Sequence, residues 1–314
     1  MTKHNLEDDL NDSEKWLVDG LEALSNIIPS KITEDYTIKS GVYDVNHDII
    51  VENCKLTIEK GVTLNFGLGK KLYIDADLDK KSQIETEGTE TEPVILQAKT
   101  IVWNGITINN TKSDNILRYT TILDGMKDYG GGINLNNSIL TLENCIVKKC
   151  EAKSYGGGIC IGNNSSIRLD NTTIIGNRSK KGGGIYNRKS YFNTKQTTIN
   201  ENMANCGAGI YNCNNSAIRM ETSIITKNQA KNDGGGIYNS NSSSVSLQDT
   251  KICENRAEYG AGIFSWLNSH IRMENTLINL NHAKIYGGGI FNLFSKIFRY
   301  GKNTIENNTP DNIY

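Results

Sequence analysis

The sequence of 314 residues predicts an all-β fold, a parallel β-helix built from stacked coils of about 26 residues each. Three observations support this fold: a glycine motif that recurs at a nearly constant interval, short apolar–polar alternations between the motifs, and a composition with 30 glycines but only 3 prolines. Glycine suits the many turns of a solenoid, whereas proline lacks the N–H that a sheet interior requires.

The motif Gly-Gly/Ala-Gly-Ile occurs seven times between residues 130 and 290. Its first residues are Gly130, Gly156, Gly182, Gly207, Gly234, Gly260 and Gly287, and subtracting each from the next gives intervals of 26, 26, 25, 27, 26 and 27 residues. We expect these glycines where the backbone turns with positive φ or where coils approach too closely for a Cβ. Ala208 and Ala261 indicate that the middle position accepts a methyl group.

A second element, Ile-x-x-Asn-x-Ala, precedes most of the glycine motifs, and a short alternation such as Ile218-Arg219-Met220 lies between the two. Each period is therefore predicted to hold about three short strands, with isoleucines inward and charged residues outward. Stacking places like side chains over one another, so asparagines at fixed positions should form hydrogen-bonded ladders. The candidate ladders are Asn177, Asn202, Asn228, Asn255 and Asn281, and Asn187, Asn212, Asn239 and Asn292.

The chain divides into an N-terminal arm, residues 1–30, and a β-helix, residues 31–314. Leu17, Leu21, Leu24 and Ile28 have helical spacing and precede Pro29, which predicts a short α-helix that caps the open N-terminal end of the solenoid. Residues 31–129 lack the glycine motif and are interpreted as irregular coils, with a separate β-domain as the alternative. Residues 130–314 are the regular repeats.

Charge and composition exclude several partners. The net charge of −1 offers no excess of cations for nucleic acid. No apolar run approaches the length of a transmembrane helix, and no export signal is visible, so the default expectation is the cytoplasm.

The seven cysteines form no CxxC pair and have no histidine at ligand spacing. We expect free thiols, no metal and no cofactor.

The paired Gly-Gly-Gly-Ile and Ile-x-x-Asn elements resemble the GGAI and FxxN repeats of chlamydial polymorphic outer membrane proteins. They also resemble the wider set of right-handed parallel β-helix repeat proteins with a pectate-lyase-like fold, and residues 56–66 are similar to the opening coils of such proteins. The resemblance implies right-handed coiling. It also implies an adhesive role and a surface or secreted location.

Two classes of function follow from this fold. Asp170, Glu221 and Glu274 share an equivalent position, but arginines two residues earlier indicate an exposed face of mixed charge, so no catalytic residue is nominated. We therefore favour a non-catalytic β-helix that presents a repetitive surface for binding a glycan or a protein, or for assembly. The alternative is a carbohydrate-active enzyme, a polysaccharide lyase or a glycoside hydrolase. The oligomeric state stays open.

An aromatic residue follows the motif isoleucine on five consecutive coils. Because that isoleucine points inward, the next side chain should point outward, which predicts an exposed strip that could stack on sugar rings or on a partner's apolar surface. The alternative is that the rings stabilise the sheet by pairing with one another, or are covered by a loop. The predicted binding residues are Tyr186, Tyr211, Tyr238, Phe264 and Phe291.

Overall fold

The computed structural model of the protein describes residues 27–77 and 80–314, which form a parallel β-solenoid and contain strands but no helix. Three parallel sheets of 11 strands each run the length of the solenoid, and the chain visits the first, second and third sheet in turn. Each strand pairs with the equivalent strand of the next coil, about 26 residues later in the regular region. The predicted all-β parallel solenoid is confirmed.

The strands of the first sheet begin, in most coils, at the motif isoleucine. They are Lys31–Ile32, Ile49–Glu52, Leu72–Asp75, Ile106–Asn109, Ile133–Asn136, Ile159–Gly162, Ile185–Arg188, Ile210–Cys213, Ile237–Ser240, Ile263–Trp266 and Ile290–Leu293. The strands of the second sheet are Tyr36–Ile38, Lys55–Ile58, Gln83–Glu87, Asn115–Arg118, Ile139–Glu143, Ser166–Asp170, Tyr191–Lys195, Ala217–Glu221, Ser244–Gln248, His270–Glu274 and Lys296–Tyr300.

The third sheet closes the coil. Its strands are Gly41–Val45, Val62–Phe66, Val94–Ala98, Thr120–Leu123, Ile146–Lys148, Thr173–Ile175, Thr198–Asn200, Ile224–Thr226, Lys251–Cys253, Leu277–Asn279 and Thr304–Glu306. Strands before residue 130 belong to the same three sheets as those after it, and Ile106 is the Cα partner of Ile133 across that point. The boundaries set at residues 30 and 129 stay predictions.

A fourth short strand follows the third sheet in most of the regular coils, where the sequence predicts only about three strands. These strands form two edge sheets: Met126–Tyr129 with Glu151–Tyr155, and Met203–Ala204, Gln229–Ala230, Arg256–Tyr259 and His282–Tyr286. Two of them, Met203–Ala204 and Gln229–Ala230, contain only two residues, which is too short for an alternation of apolar and polar side chains to be recognised.

The interior of the solenoid is a continuous aliphatic column. All seven motif isoleucines, from Ile133 to Ile290, have 0% of their surface exposed, and they are Cα partners from coil to coil. One coil buries little by itself, so the stability of this core depends on stacking.

The glycine motif serves both of the purposes expected from the sequence. The first glycine of every copy has a positive φ, between +57° at Gly260 and +68° at Gly182 and Gly287. The third glycine lies against the next coil: a Cβ on Gly236 would be 2.6 Å from the carbonyl oxygen of Gly262. Only the middle position carries a natural alanine, at Ala208 and Ala261, and both are fully buried.

The first asparagine ladder is confirmed and continues to Asn308. In each step the side-chain Oδ1 of one asparagine accepts hydrogen bonds from the backbone N–H and from Nδ2 of the asparagine one coil earlier, as between Asn228 and Asn202 at 3.0 Å each. The second ladder joins Asn187, Asn212 and Asn239 with Nδ2–Oδ1 distances of 2.9 Å. Asn292 lies in the same column, but Ser265 stands between it and Asn239, so the predicted four-residue ladder is wrong at its end.

A serine ladder between the first and second sheets was not recognised in the sequence. Each hydroxyl oxygen accepts a hydrogen bond from the backbone N–H of the equivalent residue one coil earlier. Its members are Ser138, Ser165, Ser190, Ser216, Ser243, Ser269 and Ser295.

The predicted capping helix lies mostly outside the described residues and stays a prediction. Ile28, its last apolar residue, is described and is buried against the core. Within residues 27–77 and 80–314, no helix is long and apolar enough to cross a membrane.

Candidate functional site

The five predicted binding residues form a single aromatic column on the outer face of the first sheet. Neighbouring ring centroids are 5.4 Å apart for Tyr186 and Tyr211, 4.4 Å for Tyr211 and Tyr238, 5.1 Å for Tyr238 and Phe264, and 5.0 Å for Phe264 and Phe291. All four pairs are stacked, as neighbouring strands of a parallel sheet place equivalent rings over one another.

The expectation of an exposed strip is wrong. Only 8–9% of each of these side chains is exposed, because the rings cover one another's faces and are packed against Tyr155, Cys206 and Tyr259. Those three residues belong to the part of each coil between the third and first sheets, which folds over the column. The alternative interpretation, that the rings pair with one another, describes the geometry. Their role in binding stays a prediction.

Burial affects the tyrosine hydroxyls of the column. It raises the pKa of Tyr186, Tyr211 and Tyr238 above the ordinary value, and burial is the largest cause for each. The ammonium group of Lys181 lies 5.3 Å from the centre of the Tyr211 ring. We therefore expect these tyrosines to act as neutral packing groups near neutral pH.

The aromatic column gives way to smaller side chains in earlier coils, where Thr107, Asn134 and Cys160 occupy its position. Lys127 packs there, and its Nζ donates hydrogen bonds to the carbonyl oxygen of Ile106 and to Oγ1 of Thr107, both at 2.9 Å. Burial lowers the pKa of Lys127 to about 7. Cys150, Cys160 and Lys71 are the other titratable groups that influence it.

Lys127 predicts a pH dependence of stability. Its pKa is about 7 in the folded protein and about 10.4 in an unfolded chain, so the unfolded state holds one more proton between these values. The contribution of Lys127 to the free energy of unfolding should therefore be lowest below pH about 7. It should rise towards pH about 10, by at most about 1.4 kcal/mol per pH unit.

The test measures the free energy of unfolding in urea, at several pH values, for the wild-type protein and for Lys127→Met. We expect the variant to be more stable than the wild type below neutral pH, and the difference between their free energies of unfolding to become smaller as the pH rises. A difference that stays constant with pH would show that Lys127 is protonated to the same extent in both states.

All seven cysteines are free thiols, as expected from their spacing. Burial raises the pKa of Cys145, Cys150 and Cys160 to about 12, so these groups are poor nucleophiles at neutral pH. Among the described residues, no group of three or more His, Cys, Asp or Glu side chains could hold a metal ion.

The outer face of the second sheet carries paired charges. Lys55, Glu85, Arg118 and Glu143 form a chain of ion pairs with N–O distances of 2.6, 2.6 and 3.0 Å. Hydrogen bonds from Lys55 and Arg118 hold the pKa of Glu85 below its ordinary value. Because each of these carboxylates is matched by a cation, this part of the face resembles a solvated surface rather than an acid–base pair.

The carboxylates singled out in the sequence lie in one column of the second sheet. Lys195 separates Asp170 from Glu221, and Gln248 separates Glu221 from Glu274. The Nε of Arg168 lies 2.6 Å from Oδ2 of Asp170. These three carboxylates are thus not brought together.

An open cavity of about 500 Å³ lies along the corner between the third sheet and the four-stranded edge sheet, and we call it the coil-edge cavity. Four successive coils contribute two exposed side chains each, so it runs parallel to the solenoid axis. Sequence reasoning did not identify it, because its residues share no type. They are Glu201, Met203, Lys227, Gln229, Glu254, Arg256, Leu280 and His282.

Two stretches of the chain, residues 171–188 and 222–240, each contain a third-sheet strand, a ladder asparagine, the glycine motif and a first-sheet strand. These stretches match the Chlamydia polymorphic membrane protein repeat. The resemblance inferred from the glycine and asparagine elements is thereby confirmed at these two repeats. No curated protein and no solved structure matches the chain.

Proposed function

We propose that the protein is a non-catalytic β-helix whose repetitive outer surface binds another macromolecule, with the coil-edge cavity as the binding site. One observation carries this proposal. On four successive coils the buried residue of the ladder is always asparagine, whereas the exposed residue that follows it differs each time. The pairs are Asn202-Met203, Asn228-Gln229, Asn255-Arg256 and Asn281-His282. The buried asparagines are identical because they stack on one another. The exposed residues that follow them do not stack in this way, so their side chains can differ and can be specific for a ligand.

The chemistry of the cavity favours a protein partner over a glycan. Carboxylates, cations, an amide and the apolar side chains of Met203 and Leu280 alternate along it, which suits a segment carrying both charges and apolar groups. Sugar-binding sites stack rings on exposed aromatic faces, and none of the eight residues that line the cavity is Phe, Tyr or Trp.

The enzymatic alternative rests on one pair of carboxylates. Glu201 and Glu254 line the same cavity and lie two coils apart, about 10 Å between Cα atoms at the usual strand spacing. Inverting glycosidases hold their carboxyl groups about 6.5–9.5 Å apart. Lys227 comes from the coil between the two glutamates and lines the same cavity, so the two carboxylates are neighbours of a cation rather than of each other.

The repeat match also supports a location at the cell surface or outer membrane, in place of the cytoplasmic default. We further infer a right-handed winding of the coils, because a connection between parallel strands of one sheet is right-handed in nearly all proteins.

The binding proposal is tested with a phage-displayed library of short peptides and, in parallel, a glycan array. Ligands found for the wild-type protein are measured on the variant Met203→Ala/Gln229→Ala/Arg256→Ala. We expect selected peptides to lose at least tenfold in affinity, or about 1.4 kcal/mol. The control Arg219→Ala/Ser246→Ala/Gln248→Ala removes three polar side chains from the second sheet, outside the cavity, and should bind as the wild type does.

Two results would contradict the proposal. One is that neither peptides nor glycans bind, or that the cavity variant binds them normally. The other is turnover of polyuronides or neutral glycans, with or without Ca²⁺, that disappears in both Glu201→Gln and Glu254→Gln. That outcome would establish the enzymatic alternative.

A further inference from the structure

In the last two complete coils, an exposed apolar patch covers the corner between the first and second sheets and continues along the outer side of the last second-sheet strand, Lys296–Tyr300. We call it the aromatic corner. Phe294 is 73% exposed, and the other members are between 37% and 46% exposed. Monomeric proteins seldom expose so many large apolar side chains together without a function. The members are Trp266, Leu267, Leu293, Phe294, Phe298 and Tyr300.

The two turn residues of this corner are unfavourable for folding. Leu267 and Phe294 follow the first-sheet strand with φ of 54° each, a conformation that suits asparagine and glycine but not leucine or phenylalanine. In six other coils the residue at this turn is an asparagine with positive φ: Asn53, Asn110, Asn137, Asn163, Asn214 and Asn241. The last two coils thus replace a well-suited polar residue with an exposed apolar one, which points to a function rather than to folding.

Two lysines stand at the two ends of the segment that carries Phe298 and Tyr300. Lys296 and Lys302 are both exposed, and residues 290–302 contain no carboxylate. Across the part of the chain that the structure describes, no ion pair involves either lysine. Glu274 is the Cα partner of Tyr300 on the neighbouring strand.

We propose that the aromatic corner docks on an anionic lipid surface, with Leu267 and Phe294 inserted among the acyl chains and the cations on the headgroups. Apolar side chains at the tips of turns fit a deformable bilayer, whereas a folded protein partner would need a matching pocket for each tip. Trp, Phe and Tyr beside Lys and Arg are typical of the membrane interface. The docking is independent of the coil-edge cavity, whose residues lie at a different corner of the coil.

The test is co-sedimentation of the purified protein with two kinds of vesicle: phosphatidylcholine alone, and phosphatidylcholine with about a quarter of phosphatidylserine. We expect binding to the anionic vesicles that weakens as salt is added. The variant Leu267→Asn/Phe294→Asn should lose at least about tenfold in affinity, because it removes both inserted side chains. Each of Lys296→Gln and Lys302→Gln should lose about fivefold.

The asparagine variant carries the residue that other coils have at this turn, so its fold should persist, and its thermal unfolding is measured to verify this. The matched control is Leu68→Asn/Ile101→Asn, which removes two apolar side chains that are 67% and 74% exposed. Near them, Lys99 and Lys71 are already paired with Asp44 and Asp48. The control should bind vesicles as the wild type does.

The proposal is overturned if the wild-type protein ignores anionic vesicles, or binds both kinds equally. It is also overturned if the control and the asparagine variant lose binding to the same extent. None of these results depends on whether the coil-edge cavity binds a ligand.

Discussion

The substitution Asn228→Leu should destabilise the solenoid by about 4 kcal/mol, because unpaired buried polar groups cost about 1–3 kcal/mol each. Asn228 is 0% exposed. Its Oδ1 accepts from the backbone N–H and Nδ2 of Asn202, and its Nδ2 donates to the carbonyl oxygen of Ile199 and to Oδ1 of Asn255, all at 3.0 Å. Leucine has nearly the same shape but satisfies none of these groups.

The measurement is the free energy of unfolding in urea, followed by circular dichroism. Gln229→Ala is the matched control: Gln229 is the next residue in the chain, but its side chain is exposed, and the change should stay within about 0.5 kcal/mol. Equal losses in the two variants would mean that the ladder contributes no more to stability than the surface does.

A second large effect is expected for Tyr211→Ser, which should cost about 3–5 kcal/mol, the range for removing a large buried aromatic side chain. The Tyr211 ring is 8% exposed and stacks on Tyr186 and Tyr238. Serine would leave a cavity in the middle of the column and would remove both stacking contacts.

Thermal unfolding of Tyr211→Ser should be compared with that of Tyr191→Ser. Tyr191 is 38% exposed and lies on the second sheet, outside the column. We expect a large fall in melting temperature for the first variant and little change for the second. If Tyr211→Ser melted like the wild type yet lost ligand binding, the column would be a binding site after all.

Much of the fold could be predicted from the spacing of residues alone. The seven glycine motifs implied coils of about 26 residues, and the alternation in segments such as Ile218-Arg219-Met220 implied which side chains face inward. The first asparagine ladder followed from the same spacing. These predictions succeed because, in a stack of coils, each residue contacts the equivalent residue of the next coil. The number of residues between two positions in the sequence therefore indicates whether they are in contact.

The candidate sites were harder to predict. Placing the ring of Tyr211 on the outer face of its strand was correct, but exposure depends on what else covers that face. Tyr155 and Tyr259 come from the segment before the next first-sheet strand, and periodicity does not reveal where that segment folds. The coil-edge cavity was missed for a related reason, because a binding surface made of varied residues has no recurring signature.

The architecture, the period of the coils and the first asparagine ladder could be predicted from the sequence, because each depends on short-range alternation and a repeated interval. Which outward-facing side chains meet solvent depends on the tertiary structure. It buried the aromatic column, left Leu267 and Phe294 exposed in unfavourable turns, and aligned Glu201, Lys227 and Glu254 along one cavity. Exposure is a property of how whole segments pack, and no single repeat contains that information.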